Sequence, residues 1–259
     1  MIFSSTVFII LYLPIVFIVY FLLNKQRKVF AGKLWLVAAS LFFYGYWSVV
    51  YLPLLLGSIF FNFYIGKIIS SHSKFKLREY RKVILTLSIT SNIALLAYFK
   101  YFNFFIDNIN VIFDSNFGWE NIILPLGISF YTFTQIAFLV DCYYRKAREY
   151  DLVNYALFVT FFPHLIAGPI LHHKEMMEQF QSKWAIFLRY RNIFTGLFIF
   201  SIGFFKKVII ADNFAFFANA GFAEGAAHDF YSSWATSLSY TFQLYFDFSG
   251  YCDMAPYKL

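Results

Sequence analysis

Long apolar runs separated by short basic loops set the pattern of this chain. Thr6–Leu23, Leu34–Trp47 and Leu52–Ile69 each read as a membrane-crossing helix, with a tight turn near Ser48–Tyr51 between the last two. Pro14 is a candidate kink in the first. Val83–Phe99 reads as a fourth span, with a bent continuation through Phe105. Leu124–Val140 is a fifth and carries Pro125, Gly127 and the polar run Ser129, Thr132, Thr134, Gln135. Leu152–Leu171 is equally apolar but holds Pro163, His164, Gly168 and Pro169. Prolines interrupt helices, and a broken segment at membrane depth is tolerated only where protein or a water-filled cavity surrounds it. Residues 152–171 are therefore expected to enter the membrane, break near Pro163–Pro169, and line a cavity. Ile193–Ile210 and Trp234–Phe248 complete the pattern, joined by an outer loop over Asp212–Ser233. The predicted fold is an all-α, polytopic transmembrane helical bundle with one re-entrant segment, a single membrane domain over residues 1–259.

The charges test this reading. Basic residues cluster in four loops, Asn24–Lys33, Ser70–Lys82, Arg145–Arg148 and His172–Asn192, which hold 16 of the 21 lysines and arginines. The predicted outer loops hold none. Two crossings separate the first basic loop from the second, and two more separate the second from the third, so these three share a side. The positive-inside rule makes that side cytoplasmic and puts the N-terminus outside. The fourth basic loop joins them only if residues 152–171 enter and leave by the same face, which is the re-entrant reading again.

Composition agrees. Of 259 residues, 60% are hydrophobic and 14% charged, with a mean hydropathy of +0.61. A soluble domain carries about a quarter charged residues. The net charge of +7 would suit nucleic acid if it formed one patch, but it is spread over loop ends, so no nucleic-acid partner is expected. Cys142 and Cys252 show no metal or redox spacing and read as inert small residues. Thr6–Leu23 has neither a basic leader nor a small-residue cleavage site and is read as a retained span.

The polar residues inside apolar segments are the candidates for chemistry. His164 has two readings, a hydrogen-bonded structural histidine beside a proline break or a general base, and the residues alone leave both open. Gly168-Pro169 reads first as backbone shape. Asp247, between Phe246 and Phe248, needs a partner, because a carboxylate at the bilayer centre costs at least ~2.5–3.5 kcal/mol. An ion pair to Lys206 or Lys207 and a place on a substrate path are the alternatives. Asp141 and Asp212 read as interfacial anchors. His172-His173 with Glu175 and Glu178 does not suit a metal, since adjacent helical histidines point about 100° apart. No metal site is expected.

Four motifs carry a resemblance. They are Leu124-Pro125-Leu126-Gly127-Ile128-Ser129-Phe130-Tyr131-Thr132-Phe133, Phe162-Pro163-His164-Leu165-Ile166-Ala167-Gly168-Pro169-Ile170, Gly203-Phe204-Phe205-Lys206-Lys207 with Ala211-Asp212, and Tyr245-Phe246-Asp247-Phe248-Ser249-Gly250-Tyr251 with Asp253-Met254-Ala255. In this order they resemble the membrane-bound O-acyltransferase family, in particular its bacterial branch that acylates alginate and teichoic acid. The resemblance implies that an acyl group, acetyl by analogy, is taken from a cytoplasmic donor such as acetyl-CoA or an acyl carrier. It then passes through a membrane-buried tunnel of the bacterial inner membrane. No resident cofactor is implied. An extracytoplasmic acetyltransferase partner would complete transfer to a polysaccharide such as alginate. Gln135, His164, Gly168, Pro169, Asp247, Ser249 and Asp253 are the residues this reading puts along the tunnel.

The family's catalytic histidine lies in a Trp-His motif downstream of the Phe-Ser-Gly-Tyr stretch, and no Trp-His pair occurs in these residues. The resemblance therefore puts that histidine beyond Leu259, and no catalytic residue is assigned within 1–259. The chain reads as an N-terminal portion of such an enzyme, inactive by itself. A scaffold that holds a partner enzyme, and a transporter-like protein with broken helices and midplane polar groups, are the competing readings. An internal repeat would favour the transporter, and none is found.

Overall fold

The computed structural model describes residues 3–70, 75–113, 122–147, 149, 151–165, 173–182, 187–223 and 229–255. Among them every regular element is helical. The helices are α1 (Phe8–Lys25, opening as a π-turn over Phe8–Tyr12), α2 (Val29–Trp47), α3 (Leu52–Ser70), α4 (Phe75–Phe113), α5 (Ile128–Tyr143), α6 (Leu152–Thr160), α7 (Phe162–Leu165), α8 (His173–Gln181), α9 (Tyr190–Phe205), α10 (Asp212–Gly221) and α11 (Phe230–Met254). A one-turn 3₁₀ helix, Val49–Tyr51, leads into α3, and a π-helix, Lys206–Ala211, joins α9 to α10.

Among the described residues, five helical stretches are long and apolar enough to cross a membrane: Phe8–Lys25, Val29–Trp47, Val49–Ser70, Tyr80–Phe113 and Tyr190–Gly221. Two expected spans differ. α5 begins only after Pro125 and a left-handed Gly127 (φ 69°), which leaves 16 residues or about 24 Å of helix. α11 has 25 residues but is too rich in serine, threonine and acid to meet the same measure.

Helix ends also moved. Lys33, Arg78, Arg81 and Lys82, expected in loops, lie on α2 and α4. α4 does not stop near Phe105 but runs 39 residues, about 58 Å, so it projects well past a hydrocarbon core of about 30 Å. The expected outer loop over Asp212–Ser233 is instead α10 followed by a short connection, because Asp212-Asn213-Phe214-Ala215 continues a helical pattern without a stop signal. At Pro14 the helix runs on as α-helix from Leu13. The proline cannot donate to Ile10, and the turn before it widens to a π-helix instead.

The chain folds as two compact units. One contains α1, the first part of α2, and α9 to α11. Its N-terminal residues pack on α11 through Phe3 and Tyr251, whose ring centroids are 4.9 Å apart. The other contains the rest of α2, α3 to α7 and most of α8. Its core is centred on Phe138, which touches Tyr155 (4.6 Å), His173 (5.1 Å) and Phe158 (6.3 Å) and fills the space a side chain at Gly66 would need.

The break expected in residues 152–171 is present. α6 ends after nine residues, about 14 Å, too short to cross a bilayer. Phe161 turns out of the helix (φ −51°, ψ 109°) and α7 adds four residues around Pro163. Proline at 163 has no N–H to give Val159, so the helix must stop before it. The freed Phe162 N–H donates to Ser40 Oγ at 3.1 Å, and Phe162 packs on Phe43 at 5.7 Å. The backbone group exposed by the break is thus met inside the protein, as a lipid environment requires. Residues 166–172, including Gly168 and Pro169, lie outside the described residues. So do residues 256–259, and the structure therefore says nothing of the expectation that the family's histidine follows Leu259.

The loop leading into α6 is tied down by its own acids. Asp151 caps α6 by accepting from Val153 N–H at 2.9 Å. Glu149 accepts from the Asp151 N–H at 3.0 Å and lies 3.4 Å from the His173 imidazole. Burial pushes the Glu149 carboxyl up, but His173, the Asp151 N–H and Asn154 together outweigh it and hold the group below its ordinary value.

Candidate functional site

α9 to α11 form an antiparallel hairpin whose close approach is set by glycine. A Cβ at Gly203 would lie 2.6 Å from Gly250 O and 2.7 Å from Met254 N, and one at Gly250 would lie 2.8 Å from Gly203 O. Only glycine on both helices permits that backbone contact. The π-helix begins three residues after Gly203. Its wider turn brings Lys206 and Lys207, adjacent in sequence, to the same partner helix. Lys206 Nζ pairs with Asp253 Oδ2 at 2.6 Å and donates to Ser249 Oγ at 3.1 Å. Lys207 Nζ pairs with Asp247 Oδ1 at 2.6 Å and with Asp212 Oδ1 at 3.4 Å.

Three sequence candidates, Asp247, Ser249 and Asp253, therefore come together in one cluster, and Asp212 joins it through Lys207. Of the alternatives for Asp247, the structure shows the ion pair. The cluster balances two ammonium groups against three carboxylates. Chemically it is a clamp between the π-helix and α11. None of its groups is held as a free nucleophile or base.

Gln135 and His164 belong to the other unit. His164 lies on α7 directly after the break, 5.8 Å from the Phe161 ring and with its backbone N–H bonded to Phe161 O at 2.9 Å, a position that fixes the turn. Gln135 is fully buried in a network that the sequence reading missed. Asn62 and Asn92 exchange reciprocal amide hydrogen bonds of 3.0 and 2.8 Å between α3 and α4. Gln135 Oε1 on α5 accepts from Asn62 Nδ2 at 2.5 Å and from Ser58 Oγ at 3.2 Å. Each asparagine also bonds the carbonyl four residues back, at Ser58 and Ser88. The signal was present: Ser58 and Asn62, then Ser88 and Asn92, place two polar residues at i, i+4 in otherwise apolar spans, one stripe on each helix. A groove of about 410 Å³ lies along the same stripes, lined by Ser58, Asn92, Phe61 and Leu95 among others. Among the described residues no group of three metal-ligating side chains converges.

Comparison with known proteins turns this geometry into an identity. The model for the membrane-bound O-acyltransferase family matches residues 34–257, covering both the asparagine-linked helices and the lysine clamp. The chain belongs to the membrane-bound O-acyltransferase family. It is 48% identical over 281 aligned residues to a peptidoglycan O-acetyltransferase of Helicobacter pylori, covering 98% of this chain and 53% of that protein. It is 39% identical over 263 residues to a probable alginate O-acetylase, AlgI, of Pseudomonas aeruginosa, covering 98% of this chain and 48% of the relative. Over 136 residues it is 29% identical to a teichoic acid D-alanyltransferase of Bacillus subtilis, covering 51% of this chain and 34% of that protein. The chain thus spans about half the length of the O-acetylating relatives it matches.

Proposed function

We propose that this chain is the N-terminal membrane portion of an O-acetyltransferase that carries acetyl groups across the bacterial inner membrane to an extracytoplasmic polysaccharide. The family match over residues 34–257 carries the reading. The geometry supports it: apolar helices that bury their polar groups in pairs, a broken segment satisfied from within, and a hairpin locked by lysine–carboxylate pairs. Identity of 48% to the peptidoglycan O-acetyltransferase against 39% to the alginate protein favours a peptidoglycan glycan over alginate as acceptor. The basic loops face a cytoplasmic acyl donor, the N-terminus lies outside, and a second extracytoplasmic acetyltransferase completes transfer. We expect no turnover from the 259 residues alone, since the resemblance assigns the family's histidine to a motif that is not among them.

The test is complementation. A strain lacking its own peptidoglycan O-acetyltransferase receives this chain alone, or this chain extended by the C-terminal half of the Helicobacter pylori relative, and base-releasable acetate on purified peptidoglycan is measured. Acetate only with the extended protein supports the reading. Acetate from the chain alone removes the claim of inactivity. A membrane-inserted extended protein that yields none removes the proposed acceptor.

A further inference from the structure

The two ends of the broken segment meet. Glu149 stands three residues before α6, and His173 opens α8, 24 positions later. His173 Nε2 nevertheless lies 3.4 Å from Glu149 Oε2, and the two side chains are only 4% and 9% exposed. The imidazole lies against one ring from each of two helices, Phe138 on α5 at 5.1 Å and Phe158 on α6 at 5.0 Å. Glu149 is also held by its other oxygen: Oε1 accepts from the Asp151 N–H at 3.0 Å, and Asp151 caps α6. The rest of α8 follows His173 inward. Its buried residues His173, Met176, Met177 and Phe180 recur at i, i+3, i+4 and i+7, whereas Lys174 and Glu178 are exposed and face each other at 3.8 Å.

A segment that crossed the bilayer would hold its ends about 30 Å apart. The 3.4 Å pair instead brings the chain back to the face at which α6 starts, close in sequence to the end of α5 at Tyr143. We propose that Glu149 and His173 are a positioning pair, a clasp that closes the neck of the re-entrant segment and holds the α6–α7 break at its depth. Ser40 fixes the far end of α6 through the Phe162 N–H, and the clasp fixes the near end, so the turn at Phe161–His164 is anchored from both sides. Removing one partner of a buried pair leaves the other buried and unpaired, whereas exchanging the two keeps the pair. The effect of the clasp on acetyl transfer rests on the acyltransferase reading; the closed neck does not.

The closed neck is tested without turnover. In the full chain with Cys142 and Cys252 replaced by alanine, Glu149→Cys and His173→Cys are combined, treated in native membranes with a short bismaleimide, and read by intact mass. One linker per protein with no free thiol is a bridge between the two positions, and this is expected. Glu149→Cys combined with Ile123→Cys, a pair from opposite faces by the count of crossings, should not bridge. Absence of a bridge between 149 and 173 overturns the proposal. The positioning role is read in the chain extended by the C-terminal half of the Helicobacter pylori relative. Glu149→Ala and His173→Ala are each expected to lower acetate per membrane-inserted molecule about tenfold, with the half-saturating donor concentration unchanged, and the exchange Glu149→His with His173→Glu to recover most of it. Full activity per molecule in both single variants overturns the proposal. Where the single variants do not accumulate, the exchange decides: restored accumulation supports the clasp, and continued loss overturns it. An unsubstituted extended protein without activity ends the acyltransferase reading, and the bridge alone then decides the clasp.

Discussion

Ser40 shows how one hydroxyl holds a broken helix at membrane depth. Its Oγ takes the Phe162 N–H, the backbone group released where α6 stops for Pro163, and Ser40 is fully buried. Removing a partner from a buried donor costs about 1–3 kcal/mol, whereas removing both partners costs little. Ser40→Ala is therefore expected to lower unfolding stability in detergent by about 1–3 kcal/mol, measured by thermal or denaturant unfolding. The break was legible in the sequence, because proline chemistry is local. Ser40 was not: it sits 122 positions away in an apolar run, and only folding shows what a lone serine faces. Asn62 and Asn92 lie between these cases. Their stripes were visible, but their mutual partnership depended on which faces of α3 and α4 meet.

At the level of elements, the hairpin of α9 to α11 depends on two glycines of unequal standing. Gly203 meets Gly250 and Met254 backbone, while nothing lies within 4 Å of a Cβ at Gly196 on the same helix. Gly203→Ala should drive the helices apart, cost about 1–3 kcal/mol as overpacking does, and loosen the Lys206–Asp253 pair that follows it. Gly196→Ala should instead gain up to about 1 kcal/mol from the helix preference of alanine over glycine. Unfolding of the two variants side by side checks this; equal effects would mean the close approach does not hold the hairpin. Sequence reading found Lys206, Lys207 and Asp247 and offered the ion pair as one alternative. It could not choose, because the π-turn that aims both lysines at α11 has no sequence signature comparable to a proline or a cap.

For the whole molecule, the surface decides the solvent. Only 6% of the apolar window in Tyr190–Gly221 and 17% of that in Tyr80–Phe113 are buried within the protein. Exposed Phe194, Phe198, Phe216, Phe217, Val111 and Ile112 belong to those helices. Such a surface is unstable in water and suited to lipid, which is why the bundle was legible from the length of its apolar runs while the helix ends were not. The ends are set by interfaces and by turns. α1 and α5 both close with an arginine in the left-handed conformation, Arg27 and Arg145 at φ 61°, and each is followed by a bond from the next N–H back five residues. By the count of crossings in the sequence, these matching basic ends should share one side of the membrane. With native cysteines replaced, Gln26→Cys and Lys146→Cys are expected to resist a membrane-impermeant maleimide on intact cells and to react after lysis. Ile123→Cys and Phe222→Cys, at exposed turns an odd number of crossings away, should react without lysis. Labelling of position 146 from outside would place the α5 terminus opposite the α1 terminus. It would break the count of crossings on which the cytoplasmic donor side rests, since α2 to α5 must make an even number of passes for both arginine-capped ends to meet the same headgroups.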